Sequence, residues 1–231
     1  LERRSKIISP KEKEVIAFHE AGHATVSWFL EHASPLVKVT IVPRGKSLGA
    51  AWYLPEERQI TNTEQLMDEL SATLGGRAAE DVVFGKISTG ALNDLERVTK
   101  QAYAMVTYYG LNEKIGNLSY YDSSGQSEYS FNKPYSEATA QLIDEEVHKL
   151  IDSAYQVAKN ILIEHKEQLA QLAQQLLEKE VIYREDLVAV FGERPFDEKE
   201  ESKVMGKNVK PESENTQEEE NNQEEENKNQ E

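Results

Sequence analysis

Phe18-His19-Glu20-Ala21-Gly22-His23 decides how the rest of this chain is read. Two histidines stand four residues apart with a glutamate after the first. On an α-helix such positions share a face, with Cβ atoms about 5–6 Å apart, and two imidazoles so placed can converge on one Zn²⁺ at about 2.0–2.1 Å each. Glu20 is turned by about 100° from His19 around the helix, beside the metal rather than on it, where it can take a proton from an activated water. Chance alone gives an H-E-x-x-H in a chain of this composition with a probability of about 1–2 %, and a His pair on a helix is often only a half-buried polar rim. The setting has to carry the reading.

That setting is a well-specified helix. Ser9-Pro10-Lys11-Glu12 reads as a capping box with proline at the first helical position, where its missing N–H costs nothing. Val15, Phe18, Gly22, Val26 and Phe29 or Leu30 recur at helical spacing and predict a helix from about 10 to 32 with an apolar stripe. His19, His23 and Ser27 lie at the edge of that stripe. Ala21 and Gly22 are small, which invites close approach by another element.

Composition narrows the field. The net charge of −16 is uneven: residues 197–231 hold 13 acidic and 5 basic side chains, a net of −8, and the other 196 residues carry the remaining −8. An acidic body argues against nucleic acid, which calls for a basic stripe. With no cysteine there is neither a disulfide framework nor a thiolate metal site, so any zinc must be held by histidines and carboxylates. No run of 18 apolar residues and no signal peptide is present. The chain opens Leu1-Glu2-Arg3-Arg4 without an initiator Met, which reads as a fragment or a processed product.

Along the chain, a basic lead-in over 1–8 precedes the motif helix. The β-branched run 37–42 and the segment 48–54 predict two strands around a turn at 43–46, the second ended by Pro55. Such a ribbon must pack on helices to be stable, and its free edge could dock an extended peptide. Asn62-Thr-Glu-Gln65 opens a second helix with the stripe Leu66, Leu70, Leu74, Ala78 and Val82, ended by Gly85. Gly75-Gly76 inside it weaken the helix by about 1 kcal/mol each relative to Ala, so they point to a close contact with the motif helix. A third helix runs from Ser88-Thr89-Gly90 to about Tyr109, with Leu95, Val98, Ala102, Met105 and Tyr109 inward. A long segment over 110–135 follows, then two helices that bend near 164–165, with His148 and His165 structural or solvated. One seam there is Ile143, Val147, Leu150, Ala154, Val157 and Ile161. A short helix over 183–191 ends the body. Beyond Pro195 almost no apolar residue remains, which predicts a disordered acidic tail over 196–231 after a domain of 1–195.

A catalytic zinc has three protein ligands and one open position, so one donor is missing. Neither the second nor the third helix offers a further histidine, so a carboxylate is needed, and the candidates there are Glu80, Asp81, Asp94 and Glu96. Asp94 shares its face with Ala91, Val98, Gln101 and Met105, apolar company in which a carboxylate needs a cationic partner. Glu80 sits with Thr73, Gly76 and Phe84 and remains a rival. Glu96 reads as solvated, and Asp81 has little to hold it.

Five ordered segments, HEAGHA (19–24), LPEER (54–58), GGRAAE (75–80), STGALNDLERVT (88–99) and GLNEKIG (110–116), together resemble the peptidase domain of FtsH-type ATP-dependent zinc metalloproteases over about residues 1–192. The resemblance implies that Asp94 is the third zinc ligand beside His19 and His23, that Glu20 is the catalytic base, and that Glu80 orients a ligand histidine. It implies a homohexameric ring beneath a ring of AAA ATPase domains that lie upstream and feed it unfolded or misfolded proteins. Membrane-anchoring helices precede those ATPase domains, which would put the full-length protein in an inner membrane with its peptidase on the cytoplasmic side. This stretch, with no Walker A sequence and no membrane span, is itself expected to be soluble. The segment 48–54 resembles the family's substrate-facing edge strand.

The fold expected is therefore mainly α: a zincin-type helical domain with a small β-ribbon and a C-terminal helical bundle. The function expected is that of a zinc endopeptidase, with Tyr108, Tyr109, Tyr120 and Tyr121 open as further oxyanion donors. Two other readings stand beside it. In an oligomerisation module the His pair would be incidental, and an intact Glu20 counts against that. A hydrolase of small molecules would have no use for the peptide-ready ribbon.

Overall fold

A computed structural model describes residues 8–43, 49–53, 60–121 and 134–196. The basic lead-in, the turn at 43–46 beyond its proline, Pro55, much of the segment 110–135 and the acidic tail from Asp197 lie outside the described residues. The described helices and strands all lie within Leu1–Arg194, the first of the two units into which the chain divides.

The motif helix, α1 (Pro10–Trp28), starts as its sequence dictates. Ser9 Oγ accepts from the Glu12 amide at 3.2 Å, and the Glu12 carboxylate accepts from the Ser9 amide at 2.9 Å. It ends four residues before the expected 32. Past its end, the carbonyls of Leu30, Glu31 and Ala33 accept from the buried guanidinium of Arg194 at 2.8–3.3 Å, which holds the turn that follows. From His19 to Trp28 every residue is buried, so the second half of α1 is enclosed on all sides rather than along one stripe.

Helix α2 (Thr63–Phe84) opens on the expected capping box of Asn62 with Gln65 and closes at Gly85, whose φ of +62° is readily adopted only without a Cβ. It crosses α1 where both helices are bare. A Cβ on Gly22 would fall 2.5 Å from both the Gly75 carbonyl oxygen and the Ala79 Cβ. The glycine pair thus gives the backbones room to approach.

A 3₁₀ turn (Thr89–Ala91), capped by Ser88 Oγ, leads into α3 (Leu92–Thr107). Val98, Ala102 and Met105 face inward as expected. Tyr109 does not: it is 60 % exposed, because the helix stops at Thr107 and Leu111 packs in its place.

The C-terminal bundle is α4 (Glu137–Glu164), α5 (Lys166–Lys179) and α6 (Arg184–Phe191). The bend falls at His165, as expected, and its ring stacks on Phe29 at 3.6 Å. Val157 leaves the expected seam and is 40 % exposed, while Ala154, Ala158 and Leu162 are fully buried. His148 is exposed.

The strands form one antiparallel sheet in the order β2-β1-β3, with β1 (Leu36–Thr40) central, β2 (Ala50–Tyr53) at one edge and β3 (Val181–Tyr183) at the other. Sequence periodicity had assigned Tyr183 to a helix. Three residues are too few to show an alternating pattern, and β3 exists because Ile182 plugs the core opposite Val39.

Candidate metal centre and cleft

The local sequence positions both histidines one turn apart on α1, and α2 supplies what orients them. His19 Nδ1 lies 2.8 Å from Glu80 Oε1, while Glu80 Oε2 accepts from the Ser88 amide at 2.6 Å. His23 Nδ1 lies 2.9 Å from the Ala72 carbonyl oxygen. A carbonyl can only accept, so that Nδ1 carries the proton and the lone pair sits on Nε2. The same logic holds for His19 against the Glu80 carboxylate.

The two Nε2 atoms then face each other at 3.1 Å, and Asp94 Oδ2 joins them from α3 at 3.3 Å from His19 Nε2 and 3.7 Å from His23 Nε2. Two imidazole lone pairs and a carboxylate oxygen do not gather so closely without a cation or proton between them. Tetrahedral zinc bonded at about 2.0–2.1 Å separates its ligand atoms by about 3.3 Å. The triad therefore fits a small divalent ion in both distance and donor chemistry, and these three residues form the ligand-competent group among the described residues.

Space for the ring of His19 comes from α2: a Cβ on Gly76 would fall 2.5 Å from His19 Nε2. Glu20, 7 % exposed, faces the start of β2, where a Cβ on Gly49 would run into its carboxylate. Burial pushes the Glu20 carboxyl above its ordinary range, against the opposing pull of His23 and His19. Burial also works against charge on His19, yet its hydrogen bonds to Asp94 and Glu80, with the charge of Glu20, hold its pKa up at about 9. For Asp94 and Glu80 burial is outweighed by their hydrogen bonds, to the two histidines and to His19 and Ser88 respectively, and both carboxyls are held below the usual range.

His19, Glu20, His23, Glu80, Ser88 and Asp94 line one cleft of about 890 Å³, walled by α1 on one side and by β2 and the start of α3 on others. Sequence reasoning brought His19, Glu20, His23, Asp94 and Glu80 to attention, and the fold gathers all five. None of Tyr108, Tyr109, Tyr120 and Tyr121 lines the cleft; Tyr53 does, its hydroxyl 3.3 Å from Ser27 Oγ. Ser27 Oγ in turn donates to the His23 carbonyl at 2.8 Å. Asp81, expected to be unsupported, is held by Lys159 at 2.8 Å and the Tyr155 hydroxyl at 3.0 Å. Glu96 is exposed, paired with Lys100. The Ala72 carbonyl and the Ser88 amide left no signal in the sequence, since backbone groups have no residue type; the glycine pair did.

The chain is similar in sequence to known proteins. The chain is 67 % identical over 196 residues to an "ATP-dependent zinc metalloprotease FtsH" of Parabacteroides distasonis, covering 85 % of this chain and 28 % of that protein. It is 54 % identical over 198 residues to a protein of the same name from Rhodothermus marinus, covering 85 % and 28 %. It is 51 % identical over 199 residues to a Mus musculus "mitochondrial inner membrane m-AAA protease component", covering 86 % and 25 %. The chain thus spans little more than a quarter of the length of these relatives. A family profile described as peptidase family M41 matches residues 6–190, which contain every residue of the cleft named above. With that match over most of its length, the chain belongs to peptidase family M41.

Proposed function

We propose that this chain is the proteolytic part of an ATP-dependent zinc metalloprotease and cleaves peptide bonds in unfolded or misfolded proteins. The observation that carries the reading is the convergence of His19 Nε2, His23 Nε2 and Asp94 Oδ2 within one cleft that also holds a buried glutamate at the H-E-x-x-H position. The similarity to zinc metalloproteases named as ATP-dependent supports the choice of metal and the class of partner.

His19, His23 and Asp94 are the proposed ligands. Bound there, Zn²⁺ supplies a Lewis acid that polarises the scissile carbonyl and brings the pKa of water to about 7. Glu20 accepts the proton of the attacking water on its carboxylate and delivers it to the leaving amine nitrogen. Its burial raises its pKa, which makes its carboxylate a better proton acceptor. Glu80 fixes the tautomer and ring plane of His19, and the Ala72 carbonyl does the same for His23. The substrate backbone adds to the outer edge of β2, with which no strand pairs among the described residues.

In the whole protein the reading includes an AAA ATPase domain upstream, a homohexameric ring and an anchor in an inner membrane with the peptidase on the cytoplasmic side. Among the described residues no helix is long and apolar enough to cross a membrane. The domain runs to about residue 195, followed by an acidic tail without a fold of its own. Metal analysis of the purified chain, with peptidase assays before and after chelation and after zinc is restored, tests the central claim. Near-stoichiometric zinc and chelator-sensitive cleavage are expected; cleavage that survives complete metal removal would overturn it.

A further inference from the structure

Helix α3 carries Asp94 into the cleft and, one turn on, Arg97. Positions i and i+3 lie on the same face of a helix, and Arg97 lines the cleft together with Asp94, Glu20 and Tyr53. Its charge is felt at the Tyr53 hydroxyl, beside those of Glu20 and Asp94.

Arg97 also lines a second groove, of about 580 Å³, between α2 and α3. Arg97 and Asn93 belong to both depressions and form the sill between them. The other charged side chains along that groove are engaged: Glu69 accepts from Gln101 at 2.9 Å, and Glu96 pairs with Lys100 at 2.5 Å. Arg97 is exposed and has no ion-pair partner among the described residues. A guanidinium offers five N–H donors in a planar fork that matches a carboxylate in two bonds at once.

Among the described residues no ion pair or hydrogen bond gives this fork, at the junction of the metal cleft and an adjoining groove in an otherwise acidic body, a structural task. We propose that Arg97 is a substrate-recognition residue that binds the carboxylate of an acidic side chain in the peptide, as the chain passes from the metal cleft over the sill into the α2–α3 groove. The proposal rests on the peptidase reading and deepens it, by giving the site a preference for substrates with Asp or Glu at a fixed distance from the scissile bond.

The test uses the full chain loaded with zinc and quenched-fluorescent peptides identical except for Glu, Gln or Lys at successive positions around the cleaved bond. At one position the wild-type ratio of kcat/KM for Glu over Gln should be about tenfold, the size expected of one charge-assisted contact. It should shrink as salt is raised. Arg97→Gln should bring the ratio to about one, and Arg97→Glu should invert it and favour the Lys peptide. Lys11→Gln, which changes another cleft cation, should leave the ratio where it was. A second arm measures anisotropy of the same labelled peptides on Glu20→Gln protein, with and without Arg97→Gln, so that binding preference is read without turnover. A ratio near one at every position, or a preference that survives Arg97→Gln in both arms, would overturn the proposal. Absence of cleavage in the first arm with an Arg97-dependent preference in the second would sink the peptidase reading and leave the recognition role standing.

Discussion

Glu80 Oε1 stands 2.8 Å from His19 Nδ1, on the side of the ring away from Asp94. One carboxylate therefore fixes how the ring is held while the other closes on its free nitrogen. The two acids compared in the sequence occupy different tiers of one arrangement, and their removal should differ in kind. Asp94→Asn leaves a weak neutral oxygen donor and should strip most zinc at micromolar metal, with loss of activity. Glu80→Gln should weaken metal affinity or activity by about 10–100-fold without abolishing the site. Zinc titration of both variants decides; full occupancy in Asp94→Asn alongside loss in Glu80→Gln would reverse the assignment.

Glu20 lies beside the triad rather than in it. Glu20→Gln should keep near-stoichiometric zinc and lose nearly all peptidase activity. Metal content is the control, since loss of zinc in this variant would make Glu20 a ligand.

The glycines of the α1–α2 crossing should separate by phenotype. Gly22→Ala presses a methyl group against the Gly75 carbonyl and Ala79, and overpacking of this kind costs about 1–3 kcal/mol. It should appear as a lower melting temperature in apo and zinc-loaded protein alike. Gly76→Ala drives its methyl group into the His19 ring and should cost zinc affinity first. Equal effects of the two on metal binding would refute the separation.

Asp81 joins α2 to α4 through Lys159 and Tyr155, and Lys159 above all holds its carboxyl below the ordinary value of 3.8. A carboxyl depressed in the folded state contributes stability above its unfolded pKa and loses it as pH falls through the folded one. The stability advantage of wild type over Asp81→Asn should therefore be level above about pH 5 and fade below the ordinary value. With the side chain 32 % exposed the advantage should stay below about 1 kcal/mol. Denaturant curves of zinc-free protein across that range measure it.

Deleting residues 197–231 should leave melting temperature and peptide turnover within error, because that stretch offers almost no apolar surface to bury. Arg194→Ala, three residues before the cut, strands two buried carbonyls and a part-buried one and should cost about 2–3 kcal/mol. A clear fall in either property on deletion would show that the tail docks on the body.

The features legible in advance came from patterns that are local. Capping boxes at Ser9 and Asn62, the stop at Gly85 and the break at His165 announce themselves within a few residues. The His pair and the aspartate were legible because side-chain chemistry narrows the choice of ligand, and the segments shared with a known family settled the expectation for Asp94. What escaped was set by distant partners. Strand β3 is too short for a period, Tyr109 is displaced by Leu111, Asp81 finds Lys159 at a separation of 78 residues, and the turn after α1 is held by Arg194. Each depends on where another part of the chain arrives, and no window around the residue contains it.

Those distant partners also fix an order of events in folding. The motif helix carries its histidines within the first tenth of the chain, yet β1 waits for β3 at 181–183, and the turn after α1 waits for Arg194. Contacts of such sequence separation are slow to form, because the loop they close must first be ordered. On a ribosome, every residue that lines the cleft is made before the strand and the guanidinium that complete the sheet and hold the turn after α1. The packing behind the cleft therefore waits for nearly the last residue of the body, although the cleft's own residues lie within the first 97.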